Sequence, residues 1–112
     1  MSFQSVARVA LSGLEVESTR LAVSAGNVAN QNTPGYRARR VTSENLPHGG
    51  AAAIVSWSSA IGPVEPGTEV PSNSDLTTDL VEQRVARRGY EANLAVLKAA
   101  RDTEKTLLSV FA

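Results

Sequence analysis

The first thirty residues place small or apolar side chains at alternating intervals of four and three, which is the spacing of one face of an α-helix. This stripe consists of Ala7, Leu11, Leu14, Ser18, Leu21, Ala25 and Val28. Ser2 is suited to cap the start of the helix. The end is expected at residues 30–32, because Thr33 precedes a proline and is driven towards extended backbone. The pattern predicts an N-terminal helix of roughly 45 Å.

A second helical pattern begins at residues 72–75, where short polar side chains can accept hydrogen bonds from the first free backbone amides of a helix. Its stripe is firmly apolar only from Tyr90 onward; it comprises Leu76, Leu80, Gln83, Arg87, Tyr90, Leu94, Leu97, Arg101, Glu104, Leu108 and Phe111. A helix that continues to the last residues would be roughly 55 Å long. Neither predicted helix can bury its stripe without a partner helix.

The middle of the chain interrupts the helical pattern, because all five prolines and five of the eight glycines lie in residues 34–71. Two short strands are predicted there, over residues 36–41 and 53–58, with turn pairs at Gly49-Gly50 and Gly62-Pro63. Residues 51–53, three alanines, would also suit a helix. The predicted fold is mainly α: two long terminal helices packed as a coiled coil or hairpin around a small irregular β-containing middle segment. One domain is expected, with segments 1–32, 33–71 and 72–112.

Composition narrows the classes of function. At 112 residues the chain is short enough that its core is limited. Eleven basic and eleven acidic residues leave no net charge to attract nucleic acid or an anionic membrane. The absence of cysteine excludes disulfides and thiolate nucleophiles. We expect no cleaved secretion signal, because the first residues lack a basic region followed by an apolar run, and no stretch suits a membrane span.

Catalytic motifs are nearly absent. His48 is the only histidine, and Pro47-His48-Gly49-Gly50 is similar to an oxyanion turn of esterases, but no G-x-S-x-G nucleophile turn accompanies it. Residues 62–68 have the glycine spacing of a phosphate loop without its lysine. No cluster of residues has metal-ligand spacing. We therefore expect no catalysis, no cofactor, no metal and no small-molecule substrate.

Two groups of arginines allow three interpretations. They are Arg37, Arg39 and Arg40 after the first helix, and Arg84, Arg87 and Arg88 on the second. Nucleic-acid binding would require a basic domain with stacking aromatics, whereas only 4% of the residues are aromatic, so no nucleic-acid partner is expected. The arginines either form a solvated face or pair between subunits with acidic residues, which are Glu15, Glu17, Glu82 and Glu91.

The segment Ala29-Asn30-Gln31-Asn32-Thr33-Pro34-Gly35-Tyr36 resembles the A-N-x-N-T-P-G-Y signature of bacterial flagellar axial proteins, which are the rod, hook and hook-associated families. The other terminus agrees, because residues 89–98, Gly-Tyr-Glu-Ala-Asn-Leu-Ala-Val-Leu-Lys, are similar to the A-Y-E-A-N-x-x-V-x-K helix of these proteins. Gly26 and Gly89 depart from the residues usual at their positions, asparagine and alanine. The short length and brief middle resemble a proximal rod protein more than a distal rod or hook protein.

The resemblance implies a structural subunit of the flagellar basal-body rod. In that family the terminal helices lie in the inner wall of a tube and the middle faces outward. The implied partners are other rod subunits, further copies of the chain, the export apparatus and the membrane-ring base. The implied location is the rod in the periplasmic space, reached by type III export without a cleaved signal.

Two sets of residues are expected to carry this role. The first supplies assembly contacts from the helical stripes: Leu11, Leu14, Leu21, Val28, Tyr90, Leu94, Leu97 and Leu108. The second forms a turn that joins the inner helix to the outer segment: Asn30, Asn32, Thr33, Pro34, Gly35 and Tyr36. In this turn Asn32 is expected to bond forward to backbone amides, and Gly35 to permit a positive φ.

Periodicity alone leaves a second interpretation open. A soluble helical hairpin could serve as an adaptor or regulator that binds a partner helix in its groove. An enzyme is the third possibility, and it is the one the motifs favour least.

Overall fold

The computed structural model describes residues 2–58 and 66–112. The elements are α1 (Phe3–Ala29), β1 (Arg39–Asn45), β2 (Ala51–Trp57) and α2 (Leu76–Phe111). The molecule is a rod of 74 × 25 × 14 Å in which α1 and α2 pack side by side. This confirms the mainly α fold with two long terminal helices and a small β-containing middle. The predicted turn at Gly62-Pro63 lies outside the described residues.

The helix ends follow the capping signals of the sequence. The Ser2 hydroxyl accepts a hydrogen bond from the Ser5 amide at 3.1 Å, which confirms Ser2 as the N-cap of α1. Asp75 caps α2 and accepts hydrogen bonds from the Thr77 amide and the Thr78 hydroxyl. The hydrogen bond from Thr78 lowers the pKa of Asp75 below its ordinary value. Within residues 2–58 and 66–112, no helix is long and apolar enough to cross a membrane.

The middle segment forms an antiparallel β-hairpin. Arg39 pairs with Trp57 at one end of the ladder and Asn45 pairs with Ala51 at the other. Gly49 and Gly50 both have positive φ at the turn, which confirms the predicted turn pair. The first strand begins three residues later than predicted because Ala38 bonds to the polypeptide entering α2. The helical alternative for residues 51–53 is wrong, because these alanines belong to the ladder.

Small residues form the seam between the two helices. Ala10, Ala86 and Ala100 are buried there. A Cβ atom at Gly13 would lie 2.5 Å from Oδ1 of Asn93, and one at Gly89 would lie 2.7 Å from Cδ of Glu17. The helices therefore approach closely because these positions lack side chains. Gly89, a departure from the family pattern, provides the space that the Glu17 side chain occupies.

The predicted apolar stripes lie mainly outside this seam. Leu14 is buried, while Val28 and Leu97 are half-buried. The other predicted assembly residues are exposed: Leu11, Leu21, Tyr90, Leu94 and Leu108. The fold thus uses glycine, alanine and polar side chains to join α1 to α2, and it leaves most of the periodic leucines at the surface.

Candidate functional site

Asn27, near the end of α1, is fully buried and uses the whole hydrogen-bonding capacity of its side-chain amide. Its Nδ2 donates to the Arg39 carbonyl and to Oδ1 of Asp79, both at 2.9 Å. Its Oδ1 accepts from the Tyr36 hydroxyl and the Arg39 amide, both at 3.0 Å. One side chain therefore ties α1 to the turn, to β1 and to α2.

Asp79 on α2 is also fully buried, and its carboxylate is compensated from several sides. Arg40 donates to Oδ1 at 2.8 Å, and the Ser74 hydroxyl, which donates to the Asn27 carbonyl at 2.7 Å, lies 3.3 Å from Oδ2. The Ser24 hydroxyl donates to the Asp79 carbonyl at 2.6 Å. An ion pair with a buried carboxylate, such as Arg40 with Asp79, stabilises a fold only when the remaining polar atoms of that carboxylate have partners, as they do here. We call this set the Asn27–Asp79 cluster; it comprises Ser24, Asn27, Tyr36, Arg40, Ser74 and Asp79.

The signature turn is held by backbone bonds and by Asn30. The Asn30 side chain donates to the Gly26 carbonyl and accepts from the Thr33 hydroxyl. Gly35 has a φ of 73° and donates from its amide to the Val70 carbonyl. The expected forward bonding of Asn32 is wrong, because its exposed side chain makes no hydrogen bond within the described residues. Asn30 instead supplies the side-chain contacts of the turn, and these run back to the Gly26 carbonyl and forward to the Thr33 hydroxyl.

Tyr36 and the segment before α2 complete the connection between the end of α1 and the start of α2, which we call the joint. The Tyr36 hydroxyl enters the Asn27–Asp79 cluster, while its carbonyl accepts from the Asn73 amide at 3.2 Å. Oδ1 of Asn73 in turn accepts from the Ala38 amide. The chain leaving α1 is thereby bonded to the chain entering α2. Pro34 lies exposed at the outside of the turn.

Replacing Gly35 with valine should destabilise the turn by about 1–3 kcal/mol, because a β-branched residue is strained at positive φ. Among the described residues, no atom outside residues 34–36 lies within 4 Å of the position where a Cβ would stand, so the cost comes from the backbone and not from a clash. Gly35→Asn is the matched control, since asparagine tolerates this conformation, and Thr33→Ser should be nearly silent. Chemical denaturation measures all three. Equal stability of the valine and asparagine variants would contradict the account.

Sequence reasoning did not single out Asn27 or Asp79, or the contacts of Ser24, Ser74 and Arg40 with them. Asn27 and Asp79 both lie outside the predicted helical stripes, and the residues that they contact are far apart in the chain. Asn27 and Asp79, for example, are separated by 52 positions. Only the fold brings them together.

The candidate catalytic and metal-binding positions are not assembled into a site. His48 is exposed at the hairpin turn. Across residues 2–58 and 66–112, no group of three or more histidine, cysteine, aspartate or glutamate residues is placed to hold a metal ion. The phosphate-loop-like segment at residues 62–68 lies mostly outside the described residues.

Some of the charged side chains named from the sequence form ion pairs within the subunit, and others do not. Arg20 contacts Glu17 at 3.4 Å and Glu82 at 3.5 Å, so both glutamates are used inside the subunit. Arg87 and Glu91 form an exposed pair along α2 at 3.2 Å. By contrast, the side chains of Glu15, Arg84 and Arg88 have no partner in the described part of the chain.

An open groove runs along the second half of α2. Its apolar lining residues, Leu94, Leu97 and Leu108, alternate with charged residues of both signs, which are Lys98, Arg101, Asp102, Glu104 and Lys105. Beyond it, the helix ends in exposed apolar side chains; Val110 is 72% exposed and Phe111 80%. Exposed apolar surface of this extent is typical of an interaction site. The exposed helix faces and the joint are therefore the candidate functional features.

Comparison with known proteins agrees with these features. A family model described as "Flagella basal body rod protein" matches residues 8–37, which span most of α1, Asn27 and the signature turn. The chain is also 31% identical to the flagellar basal-body rod protein FlgC of Agrobacterium fabrum over 118 aligned positions, which cover 85% of each chain. The similarity extends over both helices and the middle segment. The chain therefore belongs to the flagellar basal-body rod protein family, and within it resembles FlgC.

Proposed function

We propose that this protein is a rod subunit that assembles through the exposed faces of its terminal helices into the tubular shaft of the flagellar basal body. The observation that carries the proposal is the position of its leucines. Leu11, Leu21 and Leu94 are between 43% and 50% exposed, although Ala10, Ala86 and Ala100 are buried in the seam between the helices. A partner subunit would cover these faces and supply the apolar burial that one copy lacks.

The same architecture suits transmission of torque. The Asn27–Asp79 cluster fixes how α1, α2 and the β-hairpin sit relative to one another. A subunit with fixed internal geometry passes a load to its neighbours instead of deforming under it. An interface between two different patches also repeats from copy to copy and generates a helical array when it does not close.

Membership of the family supports other rod subunits as partners and the basal-body rod as the location. Other rod subunits and further copies of this chain would cover the helix faces. The rod would lie in the periplasmic space, with the export apparatus and the membrane-ring base at one end. Type III export would deliver the subunit without a cleaved signal. The apolar groove on α2 supports the competing adaptor hypothesis as well, since it could receive a single partner helix.

Deletion of the gene and recovery of basal bodies distinguish the two functions. We expect the deletion strain not to swim, and the complemented strain to carry this chain in purified basal bodies, detected by mass spectrometry. A soluble adaptor predicts a discrete folded protein that is absent from basal bodies. Recovery of the chain only in the soluble fraction of swimming cells would overturn the rod assignment.

A further inference from the structure

One face of α1 is exposed and carries two opposite charges. It consists of exposed residues at helical spacing, Arg8, Leu11, Glu15, Ser18 and Ala22, and we call it the α1 face. Glu15 stands two residues from both Gly13 and Glu17, which lie in the seam. Two residues correspond to about 200° of rotation, so the α1 face points away from α2.

A matching ridge lies on α2, also on the side away from the seam. It consists of Val81, Arg84, Val85, Arg88 and Glu91, all exposed, and we call it the α2 ridge. Arg84 and Arg88 each stand two residues from the buried Ala86, which places them about 200° from the seam. Val81 and Val85 are 55% and 56% exposed, so the ridge is apolar between its charges.

The two charge patterns are complementary in one direction only. On the α1 face a basic residue, Arg8, precedes an acidic residue, Glu15, by seven positions; on the α2 ridge Arg84 precedes Glu91 by the same interval. If the helices run antiparallel, Glu15 meets Arg84 while Arg8 meets Glu91, and Ser18 comes opposite Val81. A shift by one heptad would place Glu15 against Glu91, which is repulsive.

Antiparallel contact is also the arrangement that a polar array requires. Within one copy α1 runs antiparallel to α2, as shown by the contacts Ser24 to Asp79 and Arg20 to Glu82. A neighbour in the same orientation therefore presents its α1 antiparallel to this α2. Since the α1 face and the α2 ridge lie on opposite sides of the pair of helices, the contact continues from copy to copy.

Building on the rod function proposed above, we propose that the α2 ridge binds the α1 face of a second copy of this chain. The antiparallel register is set by Glu15 with Arg84 and by Arg8 with Glu91, whose carboxylate Arg87 also contacts at 3.2 Å within the subunit. In this register Leu11 of the neighbour comes opposite Arg88, so the apolar contact is between Leu11, the aliphatic stem of Arg88 and Val85, which lies about one turn away. The charges select the register, since exposed ion pairs add little stability but like charges in contact oppose the wrong alignment.

Disulfide cross-linking tests the register, because the chain has no native cysteine to interfere. Two single variants, Ser18→Cys and Val81→Cys, are expressed together in cells that lack the wild-type gene, and basal bodies are purified and oxidised. The proposed register predicts a cross-linked dimer that contains one copy of each variant. The matched control pairs Ser18→Cys with Thr103→Cys, an exposed α2 position away from the ridge, and should give no dimer.

Charge exchange then tests the pairing itself. Glu15→Arg should reduce the yield of cross-linked dimer more than about tenfold, and Arg84→Glu should do the same. A chain carrying both substitutions should recover the yield, since each copy then presents the exchanged pair. Circular dichroism of each variant checks that these exposed changes leave the helices intact.

The outcomes separate this inference from the function on which it rests. Absence of the chain from basal bodies would overturn both. Presence of the chain without the predicted dimer, equal cross-linking of the control pair, or failure of the double substitution to recover the yield would overturn this interface alone. Recovery by charge exchange together with the position-specific dimer supports it.

Discussion

Replacing Asn27 with aspartate is expected to lower the free energy of unfolding by about 3–5 kcal/mol, which is a large part of the stability of a domain this size. The substitution keeps the shape of the side chain but removes both donors from Nδ2. It removes the shorter of the two hydrogen bonds to the Arg39 carbonyl and places a second carboxylate beside Oδ1 of Asp79, at a position 2.9 Å away in the native protein. A buried, uncompensated charge is among the most destabilising changes available.

The pH dependence of the Asn27→Asp variant provides an internal check. Repulsion from Asp79 and burial raise the pKa of the new carboxyl above its unfolded value, which is about 3.9. A group with a raised pKa destabilises the fold most at high pH, so the deficit relative to wild type should narrow as the pH falls from 7 to about 5. Urea denaturation at several pH values measures it. Asn32→Asp, the same change at an exposed position of the signature, should be nearly silent; comparable losses in both variants would show that burial in the cluster is not the cause.

Replacing Leu94 or Leu21 with aspartate is expected to abolish swimming while sparing the fold and export of the subunit. Both leucines are nearly half exposed in one copy, so a charge there remains hydrated until a neighbour covers it. In the assembled rod the same charge would be buried without a partner, at a cost of several kcal/mol for every copy. Leu97 is half-buried inside the subunit, so Leu97→Asp should abolish assembly and also lower the stability of the isolated subunit.

Motility of complemented deletion strains, with secreted subunit measured alongside, checks this expectation. Thr42→Asp places the same new charge on an exposed position of β1 and should leave swimming unchanged. Normal swimming of the Leu94 and Leu21 variants would contradict the assignment of the helix faces to assembly. Circular dichroism of the purified variants separates loss of assembly from loss of fold.

Local signals in the sequence were sufficient to predict the helices and their ends. Ser2 and Asp75 have short polar side chains placed before helical stripes, and the prolines confine irregular backbone to the middle. These features act within a few residues, so no knowledge of the tertiary fold is required to use them. The positive φ of Gly35 was predictable for the same reason.

The seam and the Asn27–Asp79 cluster could not be predicted in this way. Hydrophobic periodicity identifies the leucine stripes, but in this fold the helices join through Gly13, Ala86 and Gly89, which contribute little to such a pattern. Asn27 and Asp79 are polar residues that sequence reasoning assigns to solvent. Their burial depends on Arg40 and on backbone groups that arrive from another part of the chain. Long-range pairing of this kind leaves no local signature.

The claim that the exposed helix faces are covered by neighbouring subunits is tested most directly by thiol labelling of a Leu94→Cys variant. Leu94 is 48% exposed in the single subunit, so the introduced thiol should react readily with a maleimide in the isolated chain. In intact basal bodies we predict that the thiol is protected, whereas a Ser43→Cys thiol on β1 reacts in both states. Equal labelling of the Leu94→Cys thiol in the isolated chain and in basal bodies would contradict the account.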